Sequence, residues 1–391
     1  MQGRPIRLPV LRGLPAGLLA LGAWCASSCA PSGFQDEAQL QGGVRILASS
    51  ADLPYAAPGS KERVSVLAYD GRPASVRSAS PMHVFWFPVV CENPPLDAYY
   101  GCFPQFANLD GGTLGQVVSD DASPGTEASA PSDAGDDTGT DAGTDAGAGP
   151  GTDADAGPGS PLVSSFQFAV PENVVSSHAP TPGATPYGLM IAFNFACAGH
   201  LQLLPGGSGN PQAPPIGCAD DSGNLLGPDS YVFGYTRVYV YSPDSGVTNT
   251  NPVVDCVDAR GTAAAEAGAA GPGPCVGAML AGAAPSLTVS PIHVTSPVLI
   301  GPHVTPESWE PAGNGIHEEI WVDYYSTFGT FTHDARLLYD PMVGLIGPPG
   351  ATDTEFDPPI APANPDGYVW MVVHDNRGGA VWITVPVHVG P

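Results

Sequence analysis

"DGYVWMVVHDNRGGAVWITVPVHV", Asp366 to Val389, decides the fold. Apolar residues recur at every second position on both sides of a short polar break: Val369, Met371 and Val373 before it, Val381, Ile383 and Val385 after it. Successive side chains of an extended chain point to opposite faces, so this period of two marks strands. The break, Asp375-Asn376-Arg377-Gly378-Gly379, carries turn chemistry: Asp and Asn bond their own backbone, and glycine adopts positive φ without penalty. The stretch reads as a β-hairpin. His374 and Asp375 are not a catalytic dyad, because neighbours on a strand face opposite ways.

The pattern repeats along the chain. "ERVSVLAYD" sets Val64, Val66 and Ala68 against Arg63, Ser65 and Leu67; "YTRVYVYS" sets Val238 and Val240 against Tyr239 and Tyr241. "EIWVDYY" places Ile320, Val322 and Tyr324 on one face. With 50 Gly and 45 Pro among 391 residues, long helices are not expected after the first thirty residues or so. Short strands with frequent turns predict an all-β chain of antiparallel β-sandwiches. The expected organisation is one sandwich over 43–242, with strands at 43–49, 62–70, 82–90, 164–170, 188–197 and 231–241. A second follows over 251–391, entered through "NTNPVVDC" and interrupted by a loop at 256–275.

Between the third and fourth of those strands lies 119–161, with ten acidic residues, no basic one, and no Val, Ile, Leu or aromatic residue. Such a segment cannot bury enough apolar area to offset the entropy of ordering, so a solvated, disordered Asp/Ala/Gly-rich run is expected. Its Asp spacing drifts and no closing Glu follows, so neither an EF-hand loop nor a calcium-binding nonapeptide repeat is matched. Three strands before it and three after it are each close to the minimum for independent stability. Lengthening a loop costs only about 0.6 kcal/mol per doubling. The run therefore reads as an insertion within one sandwich, with a hinge between two domains as the competing reading.

The first residues carry Arg4, Arg7 and Arg12, then an apolar core from Leu14 to Trp24, then small residues. This predicts a secretory signal over 1–28, too short in its apolar part to span a bilayer. "Ala26-Ser27-Ser28-Cys29" resembles a bacterial lipobox, although Ala26 stands where Leu is usual. The resemblance implies acylation of Cys29, a tether over 29–42, and a membrane partner reached through the lipid. Cys25 is the rival anchor, with bulky Trp24 before it arguing against cleavage there. Ala30 and Pro31 follow Cys29 in place of an Asp retention signal, which points to the outer membrane of the cell envelope.

The formal charge is −26 with a single lysine, Lys61. A phosphate backbone needs a basic footprint, so nucleic-acid binding is excluded. Six cysteines remain besides Cys25 and Cys29, an even number that suits disulfides in an exported chain. Sequence-local pairing is expected: Cys91 with Cys102, Cys197 with Cys218, and Cys256 with Cys275. No CxxC spacing supports zinc or thioredoxin-like chemistry.

The final hairpin, through Gly367, Tyr368, Val369, Met371, Val373, Asp375, Gly378 and Gly379, resembles the closing hairpin of PKD-like and bacterial immunoglobulin-like modules. "IWVDYYSTFGTF" is similar to their Trp-bearing middle strand, which makes Trp321 the expected core tryptophan. The two-cysteine bridge of antibody domains and the acidic turn of typical PKD modules are absent. The whole arrangement is similar to predicted surface lipoproteins of myxobacteria.

No nucleophile elbow, zinc helix, Walker loop or dinucleotide fingerprint occurs, so no catalytic residue, metal site or cofactor is assigned. The densest polar constellation is His317, Glu318, Glu319, Asp323, His333 and Asp334; exposed positions around a strand explain it without a metal. Phe85, Trp86 and Phe87 are consecutive, and a strand buries both faces only when its sheet is covered on both. They are either core under such a cover or a patch offered to a ligand such as a glycan. The reading is a non-enzymatic, lipid-anchored envelope protein whose modules serve structure, adhesion or contact with another envelope protein. A carbohydrate-binding accessory protein is the alternative, and a β-sandwich hydrolase stands third.

Overall fold

The computed structural model describes residues 38–106, 161–204, 214–261, 280–313, 315–347, 350–360, 362 and 364–390. The signal, Cys25, Cys29, most of the tether and nearly all of the acidic run lie outside the described residues. Ala38–Pro391 clusters as one compact unit. Among the described residues no helix is long and apolar enough to cross a membrane.

Four main sheets account for most of the described strands, and two two-stranded sheets for the rest. A three-stranded sheet orders Val44–Ala51, Lys61–Asp70 and Leu162–Ala169, all antiparallel. A five-stranded sheet runs Tyr55–Ala56, Tyr231–Val240, Gly188–Cys197, His83–Trp86, with Cys91–Glu92 also on Gly188–Cys197. The flanks of the acidic run therefore meet in both sheets: Lys61 registers with Ala169, and His83 with Cys197. An eight-stranded sheet is built around Ala380–Val389, Asp366–Asp375 and Ile320–Ser326. A four-stranded sheet joins Val254–Gly261, Val298–Val304, Thr354–Asp357 and Thr330–Phe331. None of these sheets mixes strands from before Ser242 with strands from after Asn251.

The sheets are mixed rather than wholly antiparallel. Tyr55–Ala56 lies parallel to Tyr239–Val240, and Ser286–Thr288 and Ile292–Val294 lie parallel to Ala380–Val389. Tyr55–Ala56 stands at the edge of its sheet, whereas Ser286–Val289 lies between Ala380–Val389 and Leu280–Ala283; parallel pairing requires a crossover instead of a tight hairpin.

The apolar cores explain why the hairpin sequence is almost continuously hydrophobic. Val369, Met371, Val373, Val381, Ile383 and Val385 face one core, shared with Val257, Ile300 and Phe356 of the four-stranded sheet. The intervening Trp370, Val372 and Trp382 face the other way, against Leu47, Leu67 and Tyr69 of the three-stranded sheet. The opposite face of that sheet, with Val64, Val66 and Ala68, packs on Met190, Ala192 and Val238 of the five-stranded sheet. The sheets thus stack through successive cores, and a strand covered on both faces reads as an apolar run. Trp370 and Trp382 are fully buried, whereas Trp321 is half-buried and stacks on His374 at 5.1 Å. The expectation for Trp321 is corrected: Ile320, Val322 and Tyr324 take the inward positions of that strand, and Trp321 alternates outward.

Polar groups seal the seam between the three- and eight-stranded sheets. Asn251 donates Nδ2 to the Ala51 carbonyl at 2.7 Å and accepts from the Ala380 amide at 2.9 Å. Ser50 Oγ donates to the Ala380 carbonyl at 2.7 Å. Arg377, in the hairpin turn, donates to Glu318, to the Thr248 carbonyl at 3.0 Å and to Asn249 Oδ1 at 3.1 Å; its guanidinium lies 5.5 Å from the Tyr55 ring centre.

Candidate functional site

The outer face of the five-stranded sheet carries the most elaborate local construction. Phe85 and Phe87 point into it with Leu189, Ile191, Phe193 and Phe195 from the neighbouring strand. Apolar side chains on that face need a cover, and two disulfide-braced segments supply it. Cys91 is bonded to Cys102, which straps Phe103 and Phe106 over the sheet; Phe106 stacks on Phe87 at 4.8 Å. Cys197 is bonded to Cys218 and ties the hairpin His200–Leu203/Ile216–Ala219 beside it.

The first of these rings, "CENPPLDAYYGC", is the only place among the described residues where non-glycine residues take positive φ: Asn93 at 42°, Leu96 at 59° and Asp97 at 55°. For residues with a Cβ this region costs roughly 1–2 kcal/mol each, unless the surroundings hold the chain there. Here they do. Asn93 donates Nδ2 to the Val174 carbonyl at 2.8 Å and to Ser177 Oγ at 2.9 Å, and accepts from the Leu189 amide at 2.8 Å. Asp97 meets His178 Nε2 at 2.8 Å and accepts from Tyr187 Oη at 2.5 Å. Pro94 and Pro95 fix two further φ angles, and Gly101 passes so close to Pro95 that a Cβ would lie 3.0 Å from its Cδ. The turn leaves Leu96 94 % exposed and Tyr100 41 % exposed.

The electrostatics follow the hydrogen bonds. Burial works to raise the Asp97 carboxyl, but the bonds from His178 and Tyr187 outweigh it and hold the group below its ordinary value. The same bond to Asp97, with burial second, pushes the Tyr187 phenol up to about 12. His178 and Tyr187 also line a cavity of about 180 Å³ with Val175, Pro180, Thr181 and Pro186.

Beside this loop runs a row of half-buried aromatic side chains. Tyr231, Phe233, Tyr235 and Tyr239 alternate outward along one strand, with exposed Arg237 among them. Tyr99 stacks on Tyr235 at 4.6 Å, Arg237 lies 5.3 Å from the Tyr235 ring centre, and Tyr187 meets Tyr239 at 5.7 Å. Tyr55 and Tyr241 close the row at 4.8 Å. Burial pushes the Tyr55 phenol up to about 12. The alternation of tyrosines in "YTRVYVYS" signalled this row. Nothing local signalled the Asp97–His178–Tyr187 cluster, in which Asp97 lies more than eighty residues from both its partners.

Of the two readings of Phe85, Trp86 and Phe87, core under a cover and ligand patch, their burial agrees with the first: they are 6 %, 4 % and 1 % exposed. Trp86 points to the opposite core, donating Nε1 to Ser164 Oγ at 3.0 Å and stacking on Phe166. Cover on both faces of the sheet is the reason three consecutive aromatics are tolerated.

The constellation from His317 to Asp334 is dispersed. His317 stacks on Trp309 at 3.7 Å and bonds its carbonyl; Glu318 is buried on Arg377; Asp323 approaches His374 at 3.3 Å; the His333 amide donates to Thr354 Oγ1. Asp375 is buried and accepts from the Arg377 and Gly379 amides at 2.7 and 2.9 Å, as the turn reading expects. Asp255, Cys256 and His303 come within ligating distance of one another, but Cys256 is disulfide-bonded and its sulfur is no thiolate donor. Its expected partner, Cys275, lies outside the described residues.

A larger cavity, about 210 Å³, is lined by Asp258, His303, Val304, Leu338, Tyr339 and Asp353. Burial pushes the Asp353 carboxyl up to about 6 although Arg260 pairs with it at 2.9 Å. No protein-family model matches this chain, and no curated protein matches it either.

Proposed function

We propose that this chain is a non-enzymatic envelope protein, held to a membrane by a lipid on Cys29, whose stacked sheets serve structure, adhesion or protein contact. In this reading the sheets form two immunoglobulin- or PKD-like sandwiches, 43–242 and 251–391, joined back to back. The observation that carries the reading is the seam. Trp370 and Trp382 on one side and Leu67 and Tyr69 on the other bury a common apolar layer. The charged constellation contributes Glu318 to the Arg377 network at its margin. Buried charges spent on joining layers favour a body that transmits contact over one that rearranges around a substrate; fold class by itself does not.

The test is in cells. A fatty-acid analogue should label wild type and Cys25→Ala but not Cys29→Ala, and deletion should weaken adhesion or envelope integrity, restored by wild type and not by Cys29→Ala. Labelling that persists in Cys29→Ala, or a deletion strain indistinguishable from wild type in both assays, contradicts the proposal.

The carbohydrate alternative keeps one specific support. With Phe85, Trp86 and Phe87 buried, its platform would be the row of Tyr55, Tyr239 and Tyr241, half-exposed beside Arg237. Polysaccharide binding lost in Tyr239→Ala/Tyr241→Ala, with the melting temperature unchanged, would favour it.

A further inference from the structure

We propose that the disulfide ring Cys91–Cys102 is a preformed binding loop that seats Leu96 in an apolar, basic-rimmed pocket of a partner protein. The inference rests on the protein-contact reading above and names the contact.

Three independent features converge on this loop. The backbone is strained at Leu96 and Asp97, where glycine or asparagine would relieve the strain; leucine is a poor choice there unless its side chain has a use. That side chain is 94 % exposed, so it contributes nothing to the core. Everything around it is fixed: the Cys91–Cys102 bond, Pro94 and Pro95, the Asn93 bonds to Val174, Ser177 and Leu189, and the Asp97 bonds to His178 and Tyr187. An apolar side chain held rigidly in solvent is the geometry of an interface anchor, because the ordering entropy is spent in folding and not in binding. Tyr100, on the same ring, is 41 % exposed.

The partner's chemistry follows from shape and charge. A single projecting aliphatic side chain fills a pocket, whereas a sugar ring needs a flat aromatic face. Exposed Glu92 lies on the ring next to the Cys91 bridge and Asp97 is partly exposed; Arg237, whose charge reaches Asp97, is the basic neighbour in a chain with 38 acidic residues against 12 Lys and Arg. A partner approaching this field is favoured if Lys or Arg residues rim its pocket, and a second acidic copy of this chain is disfavoured.

The experiment places a photo-crosslinking amino acid at position 96 of the full chain, made in the cells that produce it. Positions 342 and 360, where exposed Met342 and Ile360 stand, serve as comparators. Position 96 should give one discrete adduct that the comparators do not, mapping to apolar residues flanked by Lys or Arg on the other protein. Excess purified wild type and Leu96→Met should suppress that adduct, and Leu96→Asp should do so at least tenfold less well. Leu96 is solvent-exposed, so these variants fold. Adducts from 342 or 360 but not from 96 overturn the loop assignment and leave the protein-contact reading standing. No adduct from any position overturns both. An adduct between two copies of this chain, or equal competition by Leu96→Asp, also overturns the proposal.

Discussion

Arg377 donates to Glu318, a carboxylate whose side chain is 1 % exposed, from a hairpin turn 59 residues further along the chain. Removing one partner of a buried pair leaves the other charge unpaired in a poor solvent, a loss of about 3–5 kcal/mol. Arg377→Met should therefore destabilise strongly in urea denaturation, while Glu318→Leu/Arg377→Met should recover much of the loss. Arg377 also pairs with Glu310 at 3.3 Å, and equal destabilisation by the single and double variants would show that its contacts to Thr248, Asn249 and Glu310 matter more than the pair with Glu318.

Trp382 makes the second prediction. It is fully buried between the eight- and three-stranded sheets, beside Trp370 and Val372. Trp382→Ala should cost about 3–5 kcal/mol, the usual range for deleting a large core aromatic. Because the side chain belongs to the layer that both halves share, calorimetry should show one transition for wild type and two for the variant. Two transitions in wild type would mean that the seam does not couple the halves.

These two residues mark how far the sequence could be read. Period two placed strands at 62–70, 188–197, 231–241 and through the final hairpin, where the structure has Lys61–Asp70, Gly188–Cys197, Tyr231–Val240 and the Asp366–Asp375/Ala380–Val389 pair, since alternation is a local property. It could not say that both faces of a strand are covered, although "YVWMVV" carries no polar position for a wet face. The expectation for Trp321 came from the resemblance of its strand, whereas the strand's own alternation places Trp321 with Asp323 on the face opposite Ile320, Val322 and Tyr324; the core tryptophans are Trp370 and Trp382. The sequence-local cysteine pairs Cys91–Cys102 and Cys197–Cys218 were within reach because short loops close most easily. Contacts such as Asp97 with His178 and Tyr187, or Asn251 with Ala51 and Ala380, join residues whose separation no local pattern encodes.

The Cys91–Cys102 bond closes a ring with a sequence separation of 11. On chain-entropy grounds its removal should cost about 3 kcal/mol. Cys91→Ala/Cys102→Ala should lower the melting temperature and also raise hydrogen exchange at the amides of Asn93, Leu96 and Asp97, the three residues of the ring in positive-φ geometry. Unchanged exchange there would show that Asn93 and Asp97 suffice to fix the loop.

Glu62 gives a pH dependence of definite sign. It is fully buried, accepts from the Leu53 amide at 2.9 Å and stands near Asp52. Burial, with the nearby Asp52 charge, pushes its carboxyl up from the ordinary 4.5 to about 7. The folded chain then holds a proton that the unfolded chain has released across that window. Stability from this group is full below pH 4.5, declines as pH rises towards 7, and is level above it. Asp353 and Asp375, also raised by burial, act in the same direction, and Asp97, held low, acts in the opposite one. The difference between wild type and Glu62→Gln isolates Glu62. Glutamine keeps the shape without the charge, so the variant should match wild type near pH 4.5 and exceed it at pH 8 by on the order of 2–3 kcal/mol. Urea midpoints between pH 4.5 and 8 measure this directly. Parallel curves for the two proteins would mean that Glu62 ionises in the folded chain as easily as in water.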